Sequence, residues 1–210
     1  MPDLDSPIHL NMLEQWRRRQ KKGQKDTIYG LHWGDPEASP PLQSFRERFL
    51  RPYVNNAHTA LEIGPGGGRW TRYMLDFGRL YLVDLHKPLL EEVQRNFPSP
   101  NIVAIHNSGR DFPGVPDGCV DFLFSFGVFV HLDAPIIEGY LASMRRVLAP
   151  TGSVVLQYSD KRKPAAQKNP GFSDNNPDKM REMVRRHGYN ILEEDEELLH
   201  HSAVIRFGLA

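Results

Sequence analysis

Between residues 60 and 156, short apolar runs alternate with amphipathic stretches of helical length, and this constrains the fold more than any other feature. The runs are Ala60–Ile63, Leu80–Val83, Ile102–Ile105, Val120–Phe124 and Ser153–Leu156. The stretches between them predict helices at Trp70–Phe77, Pro88–Asn96 and Pro135–Leu148. Runs that are apolar on both faces suit strands covered on both sides, and parallel neighbours need a crossover of helical length. The pattern therefore predicts βαβ units and a mostly parallel sheet with helices on both faces. Beyond a polar loop rich in Lys, Pro and Asn from Asp160 to Pro177, a last helix is expected at Lys179–His187. A strand pair, Tyr189–Leu192 and Ala203–Phe207, would close the sheet.

The first fifty residues have a different texture. Ile8, Met12 and Trp16 recur at helical spacing, and the helix they predict ends in the basic run Arg17–Lys22, with Gly23 as its stop. Positive charge there suits the helix dipole and is read as a solvated end. The Pro- and Gly-punctuated stretch 30–41 is expected to be irregular, and Leu42–Leu50 a short helix. Composition narrows the partners. Twenty-six Lys and Arg balance 26 Asp and Glu, which argues against a nucleic-acid binder. The lone cysteine, Cys119, excludes an internal disulfide and a Cys-rich zinc site. The N-terminus lacks a signal-peptide pattern, and the most apolar stretch, Phe122–Val130, falls far short of the roughly 20 residues that span a bilayer. A cytoplasmic chain without a membrane span is expected.

The chemistry is concentrated where the first strand ends. Glu62-x-Gly64-x-Gly66-x-Gly68 follows a predicted strand and precedes a predicted helix, the place where doubly wound sheets bind nucleotides. Position 69 is Arg, so the Gly-x-Gly-x-x-Gly spacing of pyrophosphate binders is broken. The next strand ends in Asp84, 16 residues after Gly68, where a carboxylate can accept from both hydroxyls of a ribose. Glu62 adds a second negative charge, suited to a cationic ligand and hostile to pyrophosphate.

Leu61–Thr71 resembles the first motif of class I S-adenosylmethionine-dependent methyltransferases, and Asp84 resembles their ribose-binding acid. Asn107-Ser108-Gly109 is similar to the family's adenine-side loop, Val120–Gly127 to its fourth strand and exit, and Arg146–Gly152 to its helix-to-strand turn, with Thr151 replacing a glycine. The resemblance covers about residues 57–160. It implies a Rossmann-like α/β fold with a seven-stranded, mostly parallel sheet. Residues 53–210 would form the S-adenosylmethionine-binding domain, and residues 1–52 a helical arm capping the acceptor side. Gly64, Gly66 and Gly68 would form the cofactor loop, Glu62 would support the amino-acid end, and Asp84 would hold the ribose. Leu85, Ser108 and Gly109 would flank the adenine, and Ser125 and Phe126 would line the mouth of the site.

Methyl transfer to an alcohol needs a base as well as alignment. His131, just past the fourth strand, is the first candidate, and its competing role is to order its loop by hydrogen bonding. Tyr158 and Asp160 at the exit of the fifth strand are rivals, Asp160 also as a metal ligand. A divalent metal such as Mg has no supporting motif; His200-His201 would point to opposite faces if both lay on a strand. Trp33 and Trp70 are candidate platforms for a planar or sugar acceptor, and with Trp16 and Tyr29 they could equally staple the arm to the domain. The Trp33–Glu37 stretch, Gly68–Thr71 and Ser125–Leu132 together resemble sugar-hydroxyl O-methyltransferases of bacterial polysaccharide clusters, including the mycobacterial methylmannose polysaccharide group. That subgroup often ends its fifth strand in His-His-Ser-Asn, where this chain has Gln157-Tyr158-Ser159-Asp160. The resemblance implies a small-molecule or oligosaccharide acceptor, a mannoside or oligosaccharide precursor foremost, and leaves a homodimer through the arm open. The rival enzymes are a small-molecule N-methyltransferase, which differs only in acceptor, and a nicotinamide-dependent oxidoreductase, against which Glu62 and Arg69 count.

Overall fold

Seven strands form one sheet in the order β3-β2-β1-β4-β5-β7-β6, in a computed structural model that describes residues 8–21 and 28–210. The strands are β1 (Thr59–Ile63), β2 (Arg79–Asp84), β3 (Ile102–His106), β4 (Val120–Ser125), β5 (Leu148–Ser159), β6 (Tyr189–Asp195) and β7 (Ser202–Leu209). The helices are α1 (Ile8–Lys21), α2 (Pro40–Phe49), α3 (Lys87–Asn96), α4 (Ala134–Val147), α5 (Pro164–Gln167) and α6 (Pro177–Arg186). β1 to β5 pair in parallel, and β7 runs antiparallel between β5 and β6. The expected fold is the one observed.

Strand alternation sorts the side chains into two cores. Leu61, Ile63, Leu123, Val154, Leu156 and Tyr158 pack with α4 and α6 through Ile137, Leu141, Met144, Met180 and Val184. Ala60, Leu82, Phe122, Phe124 and Val155 face the other way, against Phe45 and Phe49 of α2, Leu90 and Val93 of α3, and Trp70, Met74 and Phe77. β1, β2 and β4 are thus covered on both faces, as near-continuous apolar runs require, whereas β3 at the sheet edge is only half-buried.

The segment after the glycine loop departs from expectation. Trp70–Phe77 buries Trp70, Met74 and Phe77 at helical spacing, yet it forms only a 3₁₀ turn at Thr71–Tyr73 within a string of turns. Its amides reach back three residues, Tyr73 to Trp70, Met74 to Thr71 and Phe77 to Met74. Both ends are pinned: the Thr71 hydroxyl donates to Glu62, and the Gly78 N–H donates to the His58 carbonyl. A short connection tied at both ends tightens rather than elongating into an α-helix. The 160–177 loop also holds a four-residue helix, α5.

The arm is stitched down by specific contacts. Leu13 and Trp16 of α1 are buried with Tyr29 and Leu89, and Trp16 meets Tyr29 edge-on at 5.8 Å. Arg17 is not a solvated helix end, since it pairs at 2.6 Å with Glu92, a buried carboxylate of α3. The side chain of Ile8, and Gly23 as the helix stop, lie outside the described residues. Among the described residues no helix is long and apolar enough to cross a membrane.

Candidate active site

The parallel strands reverse direction of winding between β1 and β4, and a crevice opens there at their carboxyl ends, as the doubly wound order dictates. Gly64 leaves β1 with its amide still bonded to Val83 at 2.8 Å, then turns at φ +69°. A Cβ there would come within 2.2 Å of Val128, so both conformation and space demand glycine. Gly66, at φ +58°, has room for a Cβ, its nearest neighbour being Tyr29 at 3.9 Å; only its backbone needs glycine. Gly67 is required by packing, and Gly68, at φ +98°, by packing and conformation together. The Tyr29 backbone would lie 2.6 Å from a Cβ at Gly67, and the Phe97 ring 2.3 Å from one at Gly68.

The loop walls a cavity of about 440 Å³. Of the residues anticipated for the cofactor, Gly64, Gly66, Asp84, Leu85, Gly109 and Phe126 line it. Asp84 is buried and accepts from the His86 amide at 2.7 Å, and burial pushes its carboxyl up to about 7. Its remaining acceptor capacity can serve two hydroxyls. Glu62, Gly68, Ser108 and Ser125 are not on the wall. Glu62 lies beneath the loop, accepts from Thr71 Oγ1 at 2.6 Å, and is likewise pushed up to about 7 by burial. Ser108 is exposed and caps Asp111 through its amide and hydroxyl. Ser125 Oγ donates to the Ile63 carbonyl at 3.0 Å, tying β4 to β1.

On the acceptor side the structure separates the three candidate bases. His131 lines the cavity, with Nδ1 2.7 Å from the Gly171 carbonyl and burial lowering its pKa. Tyr158 is turned into the α4–α6 core, its hydroxyl buried without a partner, because residues 154, 156 and 158 share that face of β5. Asp160 is buried beneath Arg162, which bonds it through Nε and Nη2 at 3.0 and 3.1 Å; that pair holds the carboxyl below its usual range despite burial. Neither Tyr158 nor Asp160 reaches the cavity.

Gln157 occupies the wall instead, on the opposite face from Tyr158; it accepts from the Gly127 amide at 2.7 Å and donates to Ser202 Oγ. Strand alternation carried one residue back from Tyr158 would have found it. Asn169 and Phe172 reach the wall from the 160–177 segment, and His201 from the turn before β7. His131 and His201 each meet the Phe172 ring edge-on at 5.3 Å. His200 and His201 lie in a turn, so their rings touch, centroids 4.5 Å apart, rather than pointing apart as on a strand. Among the described residues no group of three or more His, Cys, Asp or Glu is placed to hold a metal ion. The arm contributes Tyr29, Gly30 and Trp33 to the wall. Trp33 is 48% exposed, whereas Trp70, though it lines the cavity, is buried among Phe45, Phe124 and Phe126.

Residues 60–152 match a family described as a methyltransferase domain. No curated protein sequence matches the chain. Solved structures share the fold at low identity. A protein of Pyrococcus horikoshii aligns at TM-score 0.68 and 14% identity, over 88% of this chain and 94% of its own. An S-adenosylmethionine-dependent methyltransferase of Aquifex aeolicus aligns at 0.61 and 17%, over 82% and 90%. The CcbJ methyltransferase of Streptomyces caelestis aligns at 0.65 and 17%, over 85% and 99%.

Proposed function

We propose that this chain, a methyltransferase of class I fold that depends on S-adenosylmethionine, transfers the methyl group to a hydroxyl of a small acceptor, with a saccharide such as a mannoside or oligosaccharide precursor as the preferred class. The observation that carries the hydroxyl reading is His131. A carbonyl oxygen only accepts, so the bond to Gly171 places the ring proton on Nδ1 and leaves the lone pair of the neutral ring on Nε2. Burial lowers the pKa of this histidine, which keeps the ring neutral near pH 7.

When bound, the cofactor supplies a methyl group already activated by its sulfonium. The protein's part is alignment, which contributes much of the rate in such a displacement. Asp84, on the cavity wall, would accept from the two ribose hydroxyls, and Gly64 and Gly66 would let the ligand approach the main chain. His131 Nε2 would take the proton from the acceptor hydroxyl as its oxygen bonds to the methyl carbon and the carbon–sulfur bond breaks, S-adenosylhomocysteine being the leaving group. Trp33 offers an apolar face to a sugar ring, whereas Trp70 is too buried to do so, and Asn169 and Phe172 line the same cavity from the 160–177 segment.

Incubating the protein with labelled S-adenosylmethionine and a panel of mannosides, oligosaccharides and small amines tests this directly. An alkali-stable O-methyl product on a saccharide, lost in His131→Ala, is the expected result. Methylation confined to the amines, with His131→Ala as active as the parent, replaces the hydroxyl reading with an N-methyltransferase.

A further inference from the structure

Arg69 occupies the position where pyrophosphate-binding loops carry their last glycine, and nothing in the proposed transfer uses it. Its side chain is 8% exposed and forms part of the cavity wall. A guanidinium has five N–H donors. Among the described residues, Arg69 places one of them, Nη1, 3.3 Å from the Gly34 carbonyl, and otherwise rests against the rings of Phe126 and Trp70 at 5.3 and 5.8 Å. Both nearby carboxylates are engaged elsewhere: Glu62 by Thr71 and Asp35 by Arg72. They act on Arg69 only at a distance, and burial lowers its pKa to about 10.

The contrast with neighbouring arginines is direct. Arg72, three residues on, pairs with Asp35, and Arg17 and Arg95 both pair with the buried Glu92. Buried charges are normally compensated by a counter-charge with good geometry. At Arg69 the open side is the cavity: a Cβ at Gly127 would stand 3.5 Å from Nη2, which puts the end of the guanidinium at the exit of β4, where glycine leaves room. Planar, forked donors match a carboxylate in bidentate fashion.

We propose that Arg69 is a carboxylate receptor in the wall of this cavity, its missing counter-ion supplied by a bound ligand. The carboxylate comes either from the amino-acid tail of S-adenosylmethionine or from an acidic acceptor such as a uronate. The first source rests on the cofactor reading above, and the second does not.

Calorimetry on the parent, Arg69→Met and Arg69→Lys separates the sources. The probes are S-adenosylhomocysteine, which has the carboxylate, and 5′-methylthioadenosine, which lacks the whole tail. With S-adenosylhomocysteine present, the thermal shift given by D-glucuronate is compared with that given by methyl glucoside. If the tail is the ligand, Arg69→Met weakens S-adenosylhomocysteine at least tenfold and leaves 5′-methylthioadenosine unchanged, with Arg69→Lys between. If the acceptor is the ligand, nucleoside affinities hold and the glucuronate shift disappears in Arg69→Met while methyl glucoside gives none in either protein. Equal loss for both nucleosides, or no change with any probe, overturns the proposal and leaves Arg69 a packing residue. A parent protein that binds neither nucleoside refutes the cofactor reading, and the glucuronate shift then decides the receptor role alone.

Discussion

The two halves of the cavity are built in different ways. The β1–β2 side comes from one contiguous stretch: Gly64, Gly66 and Asp84 lie within 21 residues, and main-chain geometry does most of the positioning. The β4–β7 side gathers Trp33, Phe126, His131, Gln157, Phe172 and His201 from segments spread over most of the chain. The nucleotide side is thus a local solution, fixed wherever a strand meets a glycine turn. The acceptor side is an assembly of loops on the same rigid edge, free to differ while the sheet does not. A binding surface made locally should lose affinity when damaged, and one assembled from loops should lose rate or selectivity.

The sharpest test of that division is His131→Ala. A general base is worth roughly 10²- to 10⁴-fold in rate, so kcat should fall by that order while S-adenosylhomocysteine affinity, read by calorimetry, stays put. Its pH profile adds a sign. His131 acts when neutral and its pKa lies below the ordinary 6.5, so kcat should fall only as pH drops below that value, and the acid limb should vanish in the variant. On the other side, Asp84→Ala should weaken S-adenosylhomocysteine about 100-fold, the equivalent of two charge-assisted hydrogen bonds totalling about 3 kcal/mol. Because the Asp84 carboxyl titrates near 7, affinity in the parent should decline as pH falls below about 7, and Asp84→Asn should flatten that decline.

Smaller effects sharpen the comparison within the glycine loop. Gly68→Ala meets the Phe97 ring and should cost about 1–3 kcal/mol by overpacking, seen as a lower Tm. Gly66→Ala has space, and its cost is the left-handed backbone alone, about 1–2 kcal/mol, with the larger share of its effect on nucleotide affinity. Tyr158→Phe should change neither rate nor affinity and should shift stability by less than about 0.5 kcal/mol, since it removes a hydroxyl that has no partner. A large loss of turnover in that variant would put the fifth strand back into the chemistry.

The sequence carried the strands because apolar runs covered on both faces have few alternatives, and six of the seven observed strands keep within a few residues of the runs that announced them. β5 extends well beyond its run, from Leu148 to Ser159: Leu148 pairs with Val120 of β4 at one end, and β7 pairs with residues 153–159 at the other. Asp84 and the loop glycines were legible because their spacing reflects backbone geometry. The failures among the site residues originate in side-chain direction. Tyr158 and Gln157 are chemically plausible neighbours, and only the face of β5 that packs on α6 decides which one sees the cavity. Glu62 and Gly68 sit in the motif yet serve Thr71 and Phe97, because a motif fixes the chain path and not what each member touches. The helix expected at Trp70–Phe77 failed because periodicity records which residues are buried and not how the amides reach back. His201 stood out only as half of an adjacent histidine pair, and Phe172 and Asn169 lay in a polar loop without a motif; they line one cavity with His131 only after the chain has folded.

The Tyr29 backbone resting on Gly67 makes one wall of the cavity out of the arm, with Gly30 and Trp33 beside it. If a spent nucleoside leaves past this segment, the arm has to lift, and turnover includes a mechanical step that no reacting atom takes part in. The first cycle would then be faster than the second. Rapid mixing should show a burst of about one product per protein followed by a slower steady state, and loosening the arm with Trp33→Ala should shrink the burst by quickening the later cycles.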